Sequence, residues 1–254
     1  MNLLDTAVEA ARTAGQEIVK RLPEERVAHS KGLRDIVTDA DLAAQEALVS
    51  IIHSRFPEHG ILSEEGLRPV GDAGTIWVLD PLDGTTNYAH RYPCFSVSVG
   101  VVQGDELAAG VVYDPLREQL FCAERGSGAA MNGARLHVSQ TDQLIHALVS
   151  LDYAREPDLR AEQMAAMVNC SRHIHTFRSL GSAALSLCYV AAGWLEAYFH
   201  WTLYPWDVAA GSLILLEAGG AITDVDGGPW NYTLPRCLAT NGVLHSVFIE
   251  ALWA

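Results

Sequence analysis

Positive charge, ordered cysteine and long apolar runs are what this sequence is short of. Lys and Arg number 17 against 31 Asp and Glu, a formal net charge of −14, and no local basic cluster offsets it. Such a surface repels a phosphodiester backbone, which argues against nucleic acid as a partner. The five cysteines, Cys94, Cys122, Cys170, Cys188 and Cys237, form no C-x-x-C pair and no regular spacing, so they read as reduced, mostly buried thiols. No stretch reaches the roughly eighteen uninterrupted apolar residues of a membrane span, and the N-terminus lacks a basic patch followed by an apolar run. The expectation is a soluble cytoplasmic protein with no membrane partner.

Several catalytic signatures are missing too. The chain has no H-E-x-x-H, G-x-S-x-G, G-x-x-x-x-G-K or G-x-G-x-x-G, which disfavours metalloprotease, triad-hydrolase, kinase and dinucleotide readings. His173-Ile174-His175 would put two imidazoles on one strand face without a third ligand, which is too little for zinc.

What is present is apolar substance. With 254 residues, 49% hydrophobic and 19% charged, the chain can bury a substantial core, as one large domain or two intimate halves. A soft boundary falls near residue 145, giving halves 1–145 and 146–254. No linker rich in Gly, Ser or Pro separates them, so they are expected to share an interface and a cleft.

Apolar residues from Leu3 to Leu22 fall on one helical stripe that Pro23 ends, and a second helix is expected from Asp39 to Phe56, closed by Pro57. Thr75–Leu79 reads as a strand that must break at Asp80-Pro81. Residues 95–102, 106–113 and 119–123 read as an antiparallel meander, followed by a glycine-spaced stretch and a short strand near Leu136. After a strand at 148–151 the pattern alternates. Helices are expected at about 158–169, 182–192 and 206–218 with a terminal helix, and strands at about 174–178, 195–199 and 221–224, as in a sheet flanked by helices.

The chemistry centres on Asp80-Pro81-Leu82-Asp83-Gly84-Thr85. Two carboxylates three apart across a proline can converge, and Gly84-Thr85-Thr86 suits a helix start whose amides attract an anion. Close carboxylates repel, and a divalent cation relieves the repulsion while using their oxygens as ligands. That cation would also reverse the local sign for an anionic substrate. Taken by itself, the motif is more commonly an Asp-Pro turn with an Asx-type cap. Three further acidic segments accompany it: Glu64-Glu65 before Gly66, Asp35 to Asp41 at a helix start, and Trp206-Asp207 after Pro205. Turn solvation and helix capping are their plain structural alternatives.

Taken in order, the D-P-x-D-G-T core, the earlier Glu-Glu pair and the later Trp-Asp pair resemble the inositol monophosphatase family, within the wider group of metal-dependent, lithium-sensitive sugar phosphatases. The resemblance implies an α-β-α-β-α sandwich, an α/β fold of layered α+β type, with the active site between the halves. It implies a phosphoric monoester hydrolase with two to three Mg2+ ions, Mn2+ being a possible substitute. Glu64, Asp80 and the Leu82 carbonyl would hold one ion, Asp80, Asp83 and Asp207 a second, and a weaker third would sit near Glu64. Water oriented by Glu64 and the Thr85 hydroxyl would attack phosphorus, with Asp41 as a proton relay. Asp83, Gly84, Thr85, Gly181, Ser182, Ala183, His200 and Asp207 would contact the substrate, and Lys31 and Asp35 would support the site.

The resemblance also implies a homodimer and inhibition by lithium. The substrate would be a small phosphate monoester, first of all myo-inositol monophosphate. His200 stands where inositol-specific animal members resemble one another in a glutamate, which keeps other substrates open: fructose 1,6-bisphosphate, histidinol phosphate or a nucleoside 3',5'-bisphosphate. A regulatory binding protein with incidental activity is the alternative from a different class.

Overall fold

The structure, a computed structural model, describes residues 2–23, 28–32, 35–68 and 74–254. The side chains of Lys31 and Asp35, expected to support the site, lie outside the described residues. The first helix, α1 (Leu3–Lys20), is capped by the Asn2 side chain, which accepts from the Asp5 amide. A short antiparallel hairpin, β1 (Ala28–Gly32) and β2 (Asp35–Thr38), leads into α2 (Asp39–Arg55). The hairpin is absent from the sequence reading, because its few residues are strand only by pairing with each other.

A seven-stranded sheet follows, in chain order from β3 (Gly60–Ser63) through β4 (Thr75–Asp83), β5 (Ser96–Gln103), β6 (Glu106–Asp114), β7 (Gln119–Glu124) and β8 (Gly128–Met131) to β9 (Ala134–Arg135). The short helix α3 (Thr85–Ala89) interrupts it after β4. The meander is as expected, but the strand placed near Leu136 lies earlier. Asn132 and Gly133, both at positive φ (49° and 82°), turn a tight hairpin between β8 and β9.

A second correction concerns the motif. β4 does not stop at Leu79 but runs on to Asp83 through a bulge: Asp80 pairs with Ser98 and Asp83 with Ser96, three residues against two. Pro81 has no N–H to give the ladder, and the extra residue absorbs that loss without ending the strand.

The second sheet has five strands in the order β11 (Thr176–Arg178), β10 (Leu148–Leu151), β12 (Ala197–His200), β14 (Cys237–Thr240), β13 (Ala221–Thr223). Its helices are α4 (Pro157–Cys170), α5 (Ala183–Ala191), α6 (Pro205–Glu217) and α7 (His245–Trp253). The β14 strand is the one element here that the sequence reading lacks. The expected strand at 174–178 begins only at Thr176, which leaves His173 and His175 exposed on the preceding turn.

Five layers result. Alternating side chains of the large sheet split between two cores: Trp77, Leu79, Val97, Val99 and Val111 face α1 and α2. Val78, Val112 and Phe121 face the middle helices α5 and α6. Beyond those helices lies the second sheet, whose Val149, Leu151, Ala197 and Phe199 pack with Phe248 and Leu252 of α7 and Ala166 of α4. The α-β-α-β-α sandwich is therefore the fold.

The middle layer is set by two glycines. Gly100 of β5 and Gly110 of β6 are direct partners across the ladder. A Cβ on Gly100 would lie 2.8 Å from Ala209 Cβ, and one on Gly110 would lie 2.7 Å from the Ala210 carbonyl oxygen. Their bare surface lets α6 lie flat on the sheet. The hydroxyl of Ser98, the ladder partner of Asp80, then donates to the Trp206 carbonyl at 3.2 Å.

Candidate active site

A cleft of about 410 Å3 opens where the two sheets meet the middle helices. Glu64, Asp80, Asp83, Thr85 and Asp207 line it together with Gly181, Ala183 and His200. Each acid arrives by a different route: Glu64 directly after β3, Asp80 and Asp83 on the bulged end of β4, and Asp207 in the first turn of α6.

Asp80 is buried, and its Oδ1 accepts from the Leu82 amide at 3.0 Å. Burial raises its proton affinity well above the ordinary carboxylate value. The charges of Glu64, Asp83 and Asp207 add to this, as does a hydrogen bond with the Glu64 side chain. Asp207 is likewise pushed well above its usual range, by removal from water and by the Glu64 charge, although its Oδ2 accepts from the Tyr204 amide at 2.7 Å.

Asp83 is the most heavily engaged. Its Oδ2 accepts from the Ser182 hydroxyl, from the Ala184 amide at 3.0 Å and from Ser96 Oγ at 3.3 Å, while Oδ1 accepts from the Ala183 amide at 3.2 Å. It thereby caps α5 from another part of the chain. Burial raises its pKa to about 6, with the Ser182 and amide donors pulling the other way.

This donor set fits a hard divalent cation. It is all oxygen, and its members raise one another's proton affinity by a repulsion that a cation would relieve. No three acids form a ready ligand cage among the described residues. The hydrogen bonds explain why: Asp83 and Asp207 each turn oxygen toward backbone amides.

Beside the acids stands a second pair. Thr85 Oγ1 lies 3.0 Å from Asp41 Oδ1 and 3.0 Å from the Leu82 carbonyl oxygen, and can donate to either. The other oxygen of Asp41 accepts from the Thr38 amide at 2.8 Å and the Thr38 hydroxyl at 2.6 Å, the capping box of α2. Capping and contact with Thr85 thus coexist in one carboxyl. Burial lifts Asp41 to about 7 against the opposing pull of these hydrogen bonds.

Gly84, between the acids and Thr85, sits at φ 96° with the Cys94 and Gly181 carbonyl oxygens 3.0 and 3.1 Å from where a Cβ would be. No other residue fits this turn without displacing backbone. The Ser182 hydroxyl donates to Asp83 and also caps its own helix at the Leu185 amide. His200 is 7% exposed, and its Nδ1 accepts from the Thr202 amide at 3.0 Å, which leaves the ring proton on Nε2. Burial lowers its pKa to about 3, so the imidazole is neutral.

The cleft also contains residues that the sequence reading passed over: Asn87, Asp152, Arg155, Tyr198 and Thr202. Asn87 donates to the Cys94 and Leu180 carbonyls, both at 2.7 Å, and so ties the Gly84 turn to the turn before α5. Asp152 follows the C-terminal end of β10, whose neighbours β11 and β12 are parallel to it. The ends of parallel strands are where such clefts collect ligands, and that was the available signal.

Comparison with known proteins agrees with this architecture. A phosphatase of Arabidopsis thaliana, IMPL1 (chloroplastic), is 40% identical over 99% of this chain and 70% of its own length. The Nus factor SuhB of Salmonella typhimurium is 42% identical over 89% of this chain and 86% of its own. The solved structure of inositol monophosphatase from Anabaena (Nostoc) superimposes with a TM-score of 0.88 at 38% identity, covering 98% of this chain and 94% of that one. With the family model also matching residues 1–254, the chain belongs to the inositol monophosphatase family.

Proposed function

We propose that this protein is a Mg2+-dependent phosphatase of small phosphate monoesters, myo-inositol monophosphate first among them. The observation that carries the reading is the convergence of Glu64, Asp80, Asp83 and Asp207, whose mutual repulsion calls for a cation, beside the Thr85–Asp41 pair. Glu64, Asp80 and the Leu82 carbonyl would hold one Mg2+, and Asp80, Asp83 and Asp207 a second; Mn2+ is a substitute, and a third ion would sit near Glu64. Bound divalent ions supply neutralisation of the phosphate and a lowered pKa for water.

The chain's own residues orient and move the proton. The amides of Gly84 and Thr85 receive phosphate oxygens, while Glu64 and the Thr85 hydroxyl orient the attacking water. As the water attacks, its proton passes to Thr85 Oγ1 and the Thr85 proton passes to Asp41 Oδ1, a group whose proton affinity near neutral pH suits acceptance. Ala183, at the start of α5, and His200, on the opposite wall, face the leaving alcohol.

Release of inorganic phosphate from a panel of sugar and polyol phosphates, with Mg2+ and with chelator, tests the reading. Release that requires Mg2+ is expected, and inertness across the panel with Mg2+ present overturns it. Asp41→Asn gives a narrower test. An asparagine that goes on accepting from the Thr38 amide turns its NH2 toward Thr85, where it can donate to the hydroxyl oxygen but cannot take its proton. A fall in kcat of about 100-fold with little change in KM is expected, and an unaltered kcat removes Asp41 from the proton path.

A second reading is favoured by one finding: the relatives named Nus factor SuhB at 40–42% identity. Here the family fold would serve a regulatory partner, and phosphatase activity would be incidental. A variant without phosphate release that still supports the partner's process in a cell would favour it.

A further inference from the structure

One wall of the cleft carries polar atoms that the fold has buried and not used. Asp152 Oδ2, Tyr198 Oη and Thr202 Oγ1 have no hydrogen-bond partner among the described residues, and all three residues line the cleft. Tyr198 is fully buried. Buried polar atoms are normally paired, so three on one wall mark a surface built for something that hydrogen-bonds.

The strand register explains their grouping. Strands β10 and β12 run parallel with Ser150 beside Tyr198 and Leu151 beside Phe199, so the next step of that register puts Asp152 beside His200. Asp152 Oδ1 is committed to the turn before α5, accepting from the Gly181 amide at 2.7 Å and Ser179 Oγ at 3.0 Å. Only Oδ2 is left for the cleft. His200 has spent its acceptor, Nδ1, on the Thr202 amide and keeps a donor on Nε2. Tyr198 stacks on the His200 ring, with centroids 6.4 Å apart and 26° between planes. The wall thus sets a carboxylate acceptor beside a neutral donor and a phenol that can serve as either.

We propose that Asp152 determines specificity: its Oδ2 accepts a hydrogen bond from a hydroxyl or ammonium group on the alcohol part of the substrate, with His200 and Tyr198 completing the subsite. This rests on the phosphatase reading and names its substrate class, monoesters of polyols or amino alcohols over those of plain alcohols. A bare alkyl or aryl alcohol would leave Oδ2 unpaired, and a site built for a donor discriminates strongly against an analogue lacking it.

Asp152→Asn is the informative variant, since its carbonyl can keep the Gly181 and Ser179 contacts while its amide turns the cleft-facing atom from acceptor to donor. The measurement is kcat/KM, with Mg2+, for glycerol 2-phosphate, phosphoethanolamine and propyl phosphate. The ratio of each of the first two to propyl phosphate gives the preference. At least one ratio is expected to fall about 10- to 100-fold in the variant. Loss for glycerol 2-phosphate identifies a hydroxyl, and loss for phosphoethanolamine an ammonium.

Equal losses for all three esters would mean that Asp152 only holds the Ser179–Gly181 turn, and unchanged ratios would mean that water satisfies Oδ2; either overturns the proposal. Should the wild-type protein hydrolyse none of the three esters, the panel of sugar and polyol phosphates decides the phosphatase reading separately. Calorimetric affinities for glycerol 2-phosphate, phosphoethanolamine and propyl phosphate in both proteins then decide the subsite alone, by the same ratios. Asp152→Ser, which removes the carboxylate without introducing a competing amide, repeats the comparison if the asparagine variant fails to fold.

Discussion

Asp80→Asn is expected to reduce phosphate release by about 1,000-fold while making the metal-free protein more stable than the wild type. Asp80 is 1% exposed and lies in the field of Glu64, Asp83 and Asp207. Without a cation, one of these groups must take a proton at a pH where it would ordinarily be ionised, and that protonation costs folding free energy. An asparagine of the same shape needs no proton. Its carbonyl can still accept from the Leu82 amide, and its amide can donate to Glu64. The gain should be about 1–3 kcal/mol at neutral pH and should shrink as pH falls, because a proton then does what the amide does. Thermal unfolding in chelator at pH 5 and pH 7.5 measures it, and a lower midpoint for the variant at both pH values rejects mutual repulsion as the defining property of the site.

Asp83→Asn is expected to behave differently, although it also abolishes turnover. Asp83 accepts from Ser182, Ala183 and Ala184 through both oxygens, and one carbonyl cannot replace them. The variant should lose stability, by about 2 kcal/mol. Opposite signs of stability change from two aspartates three residues apart would separate repulsion from capping.

The second large effect joins pH and metal. Asp41 and Asp83 are raised to about 7 and about 6, and Asp80 and Asp207 well above the ordinary value near 3.8. An acid whose folded pKa is raised holds its proton more tightly folded than unfolded, so stability is full below about pH 4 and is lost as pH climbs through the folded values. From these four groups, metal-free stability should fall as pH rises from about pH 4 through about pH 7. Mg2+ should reverse the trend, because it competes with the protons and binds best once they have left.

At Mg2+ about 100-fold above its dissociation constant, the gain is about 2.7 kcal/mol, or roughly 5–10 °C for a chain of this size. A midpoint shift that is large at pH 8 and small at pH 5.5 is the expected pattern in a thermal scan. A shift of equal size at both, or none, argues against a cation among these carboxylates.

The parts of this fold that were legible in the sequence are those decided locally. Amphipathic stripes place α1 and α2, and turn residues between β-formers place the meander, because periodicity and turn chemistry act within a few residues. Strand β14 shows the opposite case: Cys237–Thr240 is a strand because β12 and β13 flank it, and those partners lie 14 to 43 residues away. The bulge in β4 fell between the two. Pro81 signalled a break, and pairing across to Ser96 and Ser98 turned the break into an extra residue.

For the site, the acids could be named from their motifs, and the pairing of Asp41 with Thr85 came only from the family resemblance. What the sequence could not convey was the state of each group. Nothing in the spacing shows that Asp83 caps α5, that the other acids raise the proton affinity of Asp80, or that His200 has its acceptor occupied. Asp152 escaped notice altogether, since a single acid after a short strand acquires meaning only from the strand beside it.

The glycine pair under α6 carries a consequence for how variation in this protein would be scored. In a deep mutational scan read out by activity, Gly100 and Gly110 should tolerate as little as Asp207 does, although neither touches the cleft. A single methyl at either position would lift the start of α6 and withdraw an acid from its partners. The map of intolerance would then extend as a band from the acids to the far face of the helix, and part of it would record a spacing rather than a reaction.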